Sequence, residues 1–214
     1  MSRHGEVPAR ELAGTIESLA IAARALVAAR RDGESAAFVE QWPRSPKVTR
    51  DIVARPMPVL RWLGDLEPLA TSDTRPLVGL LVASATRLRW AQTYTRDDLE
   101  SRFLDRYGWS ELIGLRGPVA SDRIAVGFLL LGPEIEYPSH HHAAGEVYYP
   151  LAGRALWQRG DERFVVRAPG ECIHHAPHMP HAMKTGSEPL LALYAWRGGD
   201  LAEKSTLRRP SSRR

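Results

Sequence analysis

The sequence predicts a mainly β fold: a double-sheet jelly-roll barrel that carries an N-terminal α-helical extension. Two patterns lead there. Up to about residue 107, apolar residues recur at three- and four-residue steps, and after Gly108 they fall into short runs separated by Pro and Gly turns. At 214 residues the chain is long enough to bury a core of its own. The expected organisation is a helical region over 1–107, a barrel over 108–200 and a basic tail without structure over 201–214.

The first helix is expected over 9–31, where Leu12, Ile16, Leu19, Ala23, Leu26 and Val27 fall on one face, with Pro8 at its first turn and Gly33 past its end. Further helical pieces are expected at 35–41, 58–69 and 75–91, punctuated by Pro56, Pro58, Pro68 and Pro76. Thr95 to Asp98 resembles a capping box with Asp in place of Glu, opening a helix to about Tyr107. Strands are expected at 110–115, 123–131, 146–151, 154–158, 162–167, 171–175 and 190–196. No internal repeat is visible.

The formal charge is +4, but the last eleven residues hold Lys204, Arg208, Arg209, Arg213 and Arg214 and no acid, which leaves 1–203 at −1 (+4 less +5). The basicity belongs to the tail, and a nucleic-acid-binding surface is not expected. No apolar run approaches the roughly 20 residues of a membrane span. The single Cys172 excludes an internal disulfide and reads as a small core residue. With no charged-then-apolar leader, a cytoplasmic location is expected.

Chemistry concentrates in two clusters. From Tyr137 to Gly153 the chain reads Tyr-Pro-Ser-His-His-His-Ala-Ala-Gly-Glu-Val-Tyr-Tyr-Pro-Leu-Ala-Gly. In a continuous strand His140, His142, Glu146 and Tyr148 would share one face, a parity that holds only if the turn at Ala143–Gly145 preserves it. A second cluster from Pro169 runs Pro-Gly-Glu-Cys-Ile-His-His-Ala-Pro-His-Met-Pro-His, ending at His181. Two imidazoles, a carboxylate and a third imidazole form a mixed N/O set suited to a divalent transition metal, with Fe, Mn, Zn, Ni and Cu all acceptable. His141 alternates away from that face. His174, His175 and His178 lack the ligand offset, although a register error at His174 or His175 would displace His181, and one of them could orient a metal-bound imidazole.

Both clusters match the two cupin motifs, His-x-His-x3-Glu-x6-Gly and Pro-Gly with a terminal His. Tyr137 through Gly153 further resembles the cupin-type dimethylsulfoniopropionate (DMSP) lyases. The resemblance implies a metal held by His140, His142, Glu146 and His181, and Tyr148 as general base. It places Tyr137 and Trp196 in the substrate pocket. Its specificity comes from 137–196, and a helical portion before the barrel is common in that family. The implied reaction is a β-elimination of DMSP to dimethyl sulfide and acrylate, without an organic cofactor. A sulfonium has no N–H donors and is recognised by aromatic faces. Tyr137, Tyr149, Trp157 and Trp196 are the candidates, set against a plain core role that weighs most on Tyr149 and Trp157.

Other readings of the same residues are a cupin dioxygenase or isomerase, a non-enzymatic ligand-binding cupin, or a lyase-like cupin with another primary substrate. The partner expected is a small molecule, DMSP or similar, with the helical region as a candidate homodimer surface.

Overall fold

The computed structural model describes residues 9–208. Its helices are α1 (Ala9–Ala28), α2 (Gly33–Val39), α3 (Arg75–Ser84) and α4 (Ser101–Leu104), with 3-10 turns at Pro58–Asp65, Glu67–Leu69 and Ala85–Arg87. The strands are β1 (Tyr107–Gly114), β2 (Val119–Ala120), β3 (Ile124–Leu131), β4 (Glu136–His141), β5 (Gly145–Ala152), β6 (Ala155–Arg159), β7 (Val165–Arg167), β8 (Ile173–His175), β9 (His181–Thr185), β10 (Leu190–Arg197) and β11 (Thr206–Leu207). A six-stranded sheet has the order β2-β1-β3-β10-β5-β8, and a five-stranded sheet the order β11-β4-β9-β6-β7. All pairs are antiparallel except β1 with β2. The mainly β, two-sheet architecture is the one the sequence predicts.

The larger sheet is covered on both faces, which explains why β3 and β5 are buried at every position. One face, through Val126, Phe128, Leu130, Val147, Leu151, Leu191 and Leu193, meets the helices in a single core with Ile16, Leu19, Val27, Leu77 and Leu81. The other face, through Leu129, Leu131, Tyr148, Ala192 and Tyr194, meets the smaller sheet through Tyr137, Trp157 and Met183. The smaller sheet turns its opposite face to water, and Leu156 and Val166 lie exposed there.

Several helical expectations come out shorter. The helix expected over 75–91 stops at Ser84, because Trp90 is fully buried, donates Nε1–H to the Ala85 carbonyl at 2.8 Å and draws the chain out straight. Ala91 then exchanges backbone hydrogen bonds with Trp109 at 2.8 and 2.9 Å. The piece expected at 58–69 is 3-10 rather than α. Thr95 does donate N–H to the Asp98 carboxylate at 2.9 Å, but the turn closes on itself, α4 is four residues long, and Tyr107 already belongs to β1.

Residues 201–208, expected to lack structure, are held in place. Thr206 and Leu207 pair with His141 and His140 along the free edge of β4, which supplies the backbone partners that the charge pattern could not reveal. Lys204 and Arg208 are paired with Asp98 at 2.9 Å and Asp161 at 2.8 Å. Arg209, Arg213 and Arg214 lie outside the described residues. Among the described residues no helix is long and apolar enough to cross a membrane.

Gly153, the last residue of the first motif, has φ +77°, and a Cβ there would stand 1.9 Å from the Pro189 carbonyl oxygen. Gly153→Ala should therefore cost at least about 1–3 kcal/mol of unfolding free energy. Gly186→Ala, in open space, should be near neutral. Thermal denaturation of both variants, followed by circular dichroism, checks the pair.

Candidate metal centre

The two sequence clusters meet because their strands pair. His140 on β4 lies opposite His181 on β9, and Glu146 on β5 lies opposite Trp196 on β10. His142 lies past the end of β4, on the corner that carries the chain from the smaller sheet to the larger. Two anchors fix that corner: His178 donates its N–H to the His142 carbonyl at 2.8 Å, and Ala143 donates to the Glu203 carboxylate at 2.7 Å.

His142, Glu146 and His181 converge, each offering one ligand atom within 4.8 Å of the others, and all three are buried. His142 Nε2 and His181 Nε2 each lie 3.1 Å from Glu146 Oε2. His140 stands outside that trio, its ring edge-on to His181 with centroids 4.1 Å apart.

The hydrogen bonding of the rings decides what can sit between them. Nδ1 of His140 meets the Pro138 carbonyl at 2.9 Å, Nδ1 of His181 meets that of Met179 at 2.9 Å, and Nδ1 of His142 meets that of Ala144 at 3.0 Å. A carbonyl only accepts, so in each neutral ring the proton sits on Nδ1 and Nε2 presents a lone pair. Two such lone pairs point at a carboxylate oxygen, acceptor against acceptor, and His181 Nε2 is buried with no hydrogen-bond partner. A cation resolves that conflict. Ligand atoms at right angles about an ion, each about 2.1 Å from it, stand about 3 Å apart, as each of these nitrogens does from Glu146 Oε2. The buried cluster can hold a metal ion, and the imidazole-to-carbonyl bonds are the support that metal-bound histidines commonly use.

Without an ion, protons do part of this work. Burial disfavours charge on both Glu146 and His142. The attraction and hydrogen bond between them outweigh it, holding the Glu146 carboxyl well below its usual range and raising His142. Burial pulls His140 well below the ordinary imidazole value, and the adjacent His181 adds to it. Trp196 donates Nε1–H to Glu146 Oε1 at 2.5 Å and stacks on His142 at 3.9 Å. The carboxylate is thus gripped at both oxygens.

A cavity with about 520 Å³ of empty space, its mouth included, opens beside the cluster, a size suited to a small ligand. Of the residues singled out in the sequence, Tyr137, His140, Glu146, Tyr148 and Trp196 line it. Tyr137 lies flat on His140 with centroids 4.0 Å apart. Burial and the charge of Glu146 push the Tyr148 phenol well above its ordinary value.

The chain matches the family model of dimethylsulfoniopropionate lyases over residues 35–192. It belongs to the DMSP lyase family. DMSP lyase DddQ of Ruegeria pomeroyi is 33% identical over 130 residues, 61% of this chain and 65% of that protein. The DddL protein of Cereibacter sphaeroides is 34% identical over 122 residues, 56% of this chain and 50% of that protein. The matched segments therefore span about half to two thirds of these curated relatives. Among solved structures, a chain from the crystal structures of DMSP lyases RdDddP and RnDddQII superposes with TM-score 0.83 at 30% identity, covering 92% of this chain and 98% of that one. The crystal structure of DddQ from Ruegeria pomeroyi gives TM-score 0.82 at 29% identity, covering 94% and 99%. The fold is the cupin barrel of this DMSP lyase family.

The placement of Tyr149 corrects an expectation. It follows Tyr148 on β5 and so faces the opposite side of the sheet, where its hydroxyl meets Ser35 Oγ of α2 at 2.6 Å. It is fully buried in the helix-facing core and does not line the cavity. Trp157 likewise packs as core, with centroids 5.1 Å from Tyr148. Three aromatic cavity residues were missed: Tyr107, Trp109 and Tyr194. Tyr194 alternates with Trp196 on β10 and was within reach of a period-two reading. Tyr107 and Trp109 share a face of β1 but were obscured by the helix expected to run to Tyr107.

Tyr149→Phe should therefore lower the unfolding free energy by about 1 kcal/mol, the usual worth of a buried hydrogen bond, in urea denaturation. Any activity the parent has toward DMSP should be kept by the folded variant, because Tyr149 does not line the cavity.

Proposed function

We propose that this chain cleaves DMSP by β-elimination, with His140, His142, Glu146 and His181 holding a divalent transition metal and Tyr148 acting as general base. The convergence of imidazole lone pairs on the buried Glu146 carboxylate is the observation that carries this reading. His140 is the fourth member: its Nε2 is left free by the Nδ1 bond to Pro138, and it lines the cavity that the trio borders.

When bound, a divalent ion supplies a Lewis acid for the substrate carboxylate and an electric field that favours phenolate over phenol. That field opposes the burial and the Glu146 charge that otherwise keep Tyr148 protonated. Tyr148 then takes the proton from the carbon next to the carboxylate. The C–H pair forms the new double bond as the C–S bond breaks with its electrons on sulfur, so neutral dimethyl sulfide and acrylate result. The cation to be seated is the sulfonium, and the aromatic faces of Tyr137, Tyr107 and Tyr194 around the cavity suit it. Trp196 does different work from that expected of a pocket aromatic. Its bond to Glu146 and its stacking on His142 fix the metal-facing set.

Gas chromatography of dimethyl sulfide released by purified, metal-reconstituted protein tests this directly. Tyr148→Phe should lose about 10²- to 10⁴-fold in turnover, the range of a missing general base, while keeping its metal by elemental analysis. His142→Ala should lose both turnover and metal. Full activity in Tyr148→Phe removes the base assignment, and a parent protein that binds metal yet releases no dimethyl sulfide removes the substrate.

A further inference from the structure

Behind the metal-facing set stands an imidazole that the reaction above does not use. His175 on β8 lies directly opposite Glu146 in the antiparallel register and has no exposure to solvent. Neither of its ring nitrogens has a hydrogen-bond partner. Nδ1 comes within 3.7 Å of Glu146 Oε2, longer than a formed hydrogen bond. The ring lies flat against His181, with centroids 4.1 Å apart and planes 11° from parallel.

An aliphatic side chain would fill this position without stranding two polar atoms, so plain packing does not account for a histidine here. Nor does ligation. Imidazole lone pairs lie in the ring plane, so two rings stacked nearly parallel direct their nitrogens side by side rather than toward a shared point. What remains is an orienting role toward the two groups it touches. A neutral imidazole carries one N–H, and Nδ1 is the nitrogen of this ring that faces Glu146.

We propose that His175 is a positioning residue, whose N–H faces Glu146 and whose ring face braces His181, so that carboxylate and imidazole stay at the separation an ion requires. This rests on the metal-centre reading. The arrangement resembles the outer partners whose loss commonly costs metal sites 10- to 100-fold in affinity. The difference is that His175 orients a carboxylate ligand and buttresses an imidazole at once.

Titration of the metal-free protein with Co²⁺, read by visible absorption, tests it apart from activity. Leu and Asn have nearly the same shape, and only Asn keeps an N–H close to the place of Nδ1. His175→Leu should bind Co²⁺ about 10- to 100-fold more weakly than the parent, with shifted ligand-field bands. His175→Asn should recover most of both. Parent-like affinity and bands in His175→Leu overturn the proposal, and so does equal weakening in the two variants, which assigns the effect to packing. If His175→Leu does not fold, His175→Asn against the parent decides, and a loss beyond tenfold overturns it. A parent that binds no Co²⁺ overturns the metal-centre reading itself, together with the role assigned to His175.

Discussion

Glu146 has no contact with water, and a carboxylate so placed must be compensated by its surroundings or give up its charge. Here the compensation comes from separate parts of the chain. An indole on β10 takes one oxygen, while imidazoles on β9 and at the β4–β5 corner approach the other. Each of those imidazoles is fixed in turn by a backbone carbonyl two residues away. The barrel can be understood as the scaffold that brings these groups to one carboxylate and keeps them there.

That scaffold depends on its helical layer. The strand that carries Glu146 and Tyr148 inward carries Val147, Tyr149 and Leu151 outward, into the core shared with α1 and α3. Tyr149 also reaches Ser35, which in turn bonds the Asp32 cap of α2 at 2.6 Å. The helices are thus the second wall of the sheet that bears the site, and the register of β5 is set from both sides.

The barrel was legible because its strands are short, apolar and separated by Pro and Gly, and the residues that cluster around Glu146 because His, His and Glu recur at fixed offsets. What escaped had physical reasons. Periodicity extended the third helix through Leu88, but a buried Trp90 and a strand partner at Trp109 outweighed local preference. The basic composition near the chain's end hid the backbone pairing of Thr206 and Leu207, which the free edge of β4 dictates and no local pattern announces. Tyr149 was misplaced although the rule that corrects it, alternation along a strand, had already been applied to its neighbours. His175 could not be separated from His174 and His178 by spacing alone; only the pairing of β5 with β8 sets it against Glu146.

The short pairing of β11 has an effect on the cavity as well. Leu201, Glu203 and Ser205 form part of the cavity wall, on a stretch held by two residues of strand, two ion pairs, the packing of Leu201 on Ala125 and Ala144, and the bond from Ala143 to Glu203. A sheet-edge stretch with only two residues of strand pairing opens at lower free energy than the central strands. Fraying of this border would widen the cavity beyond its existing mouth, and amide exchange across 201–207 would clock it.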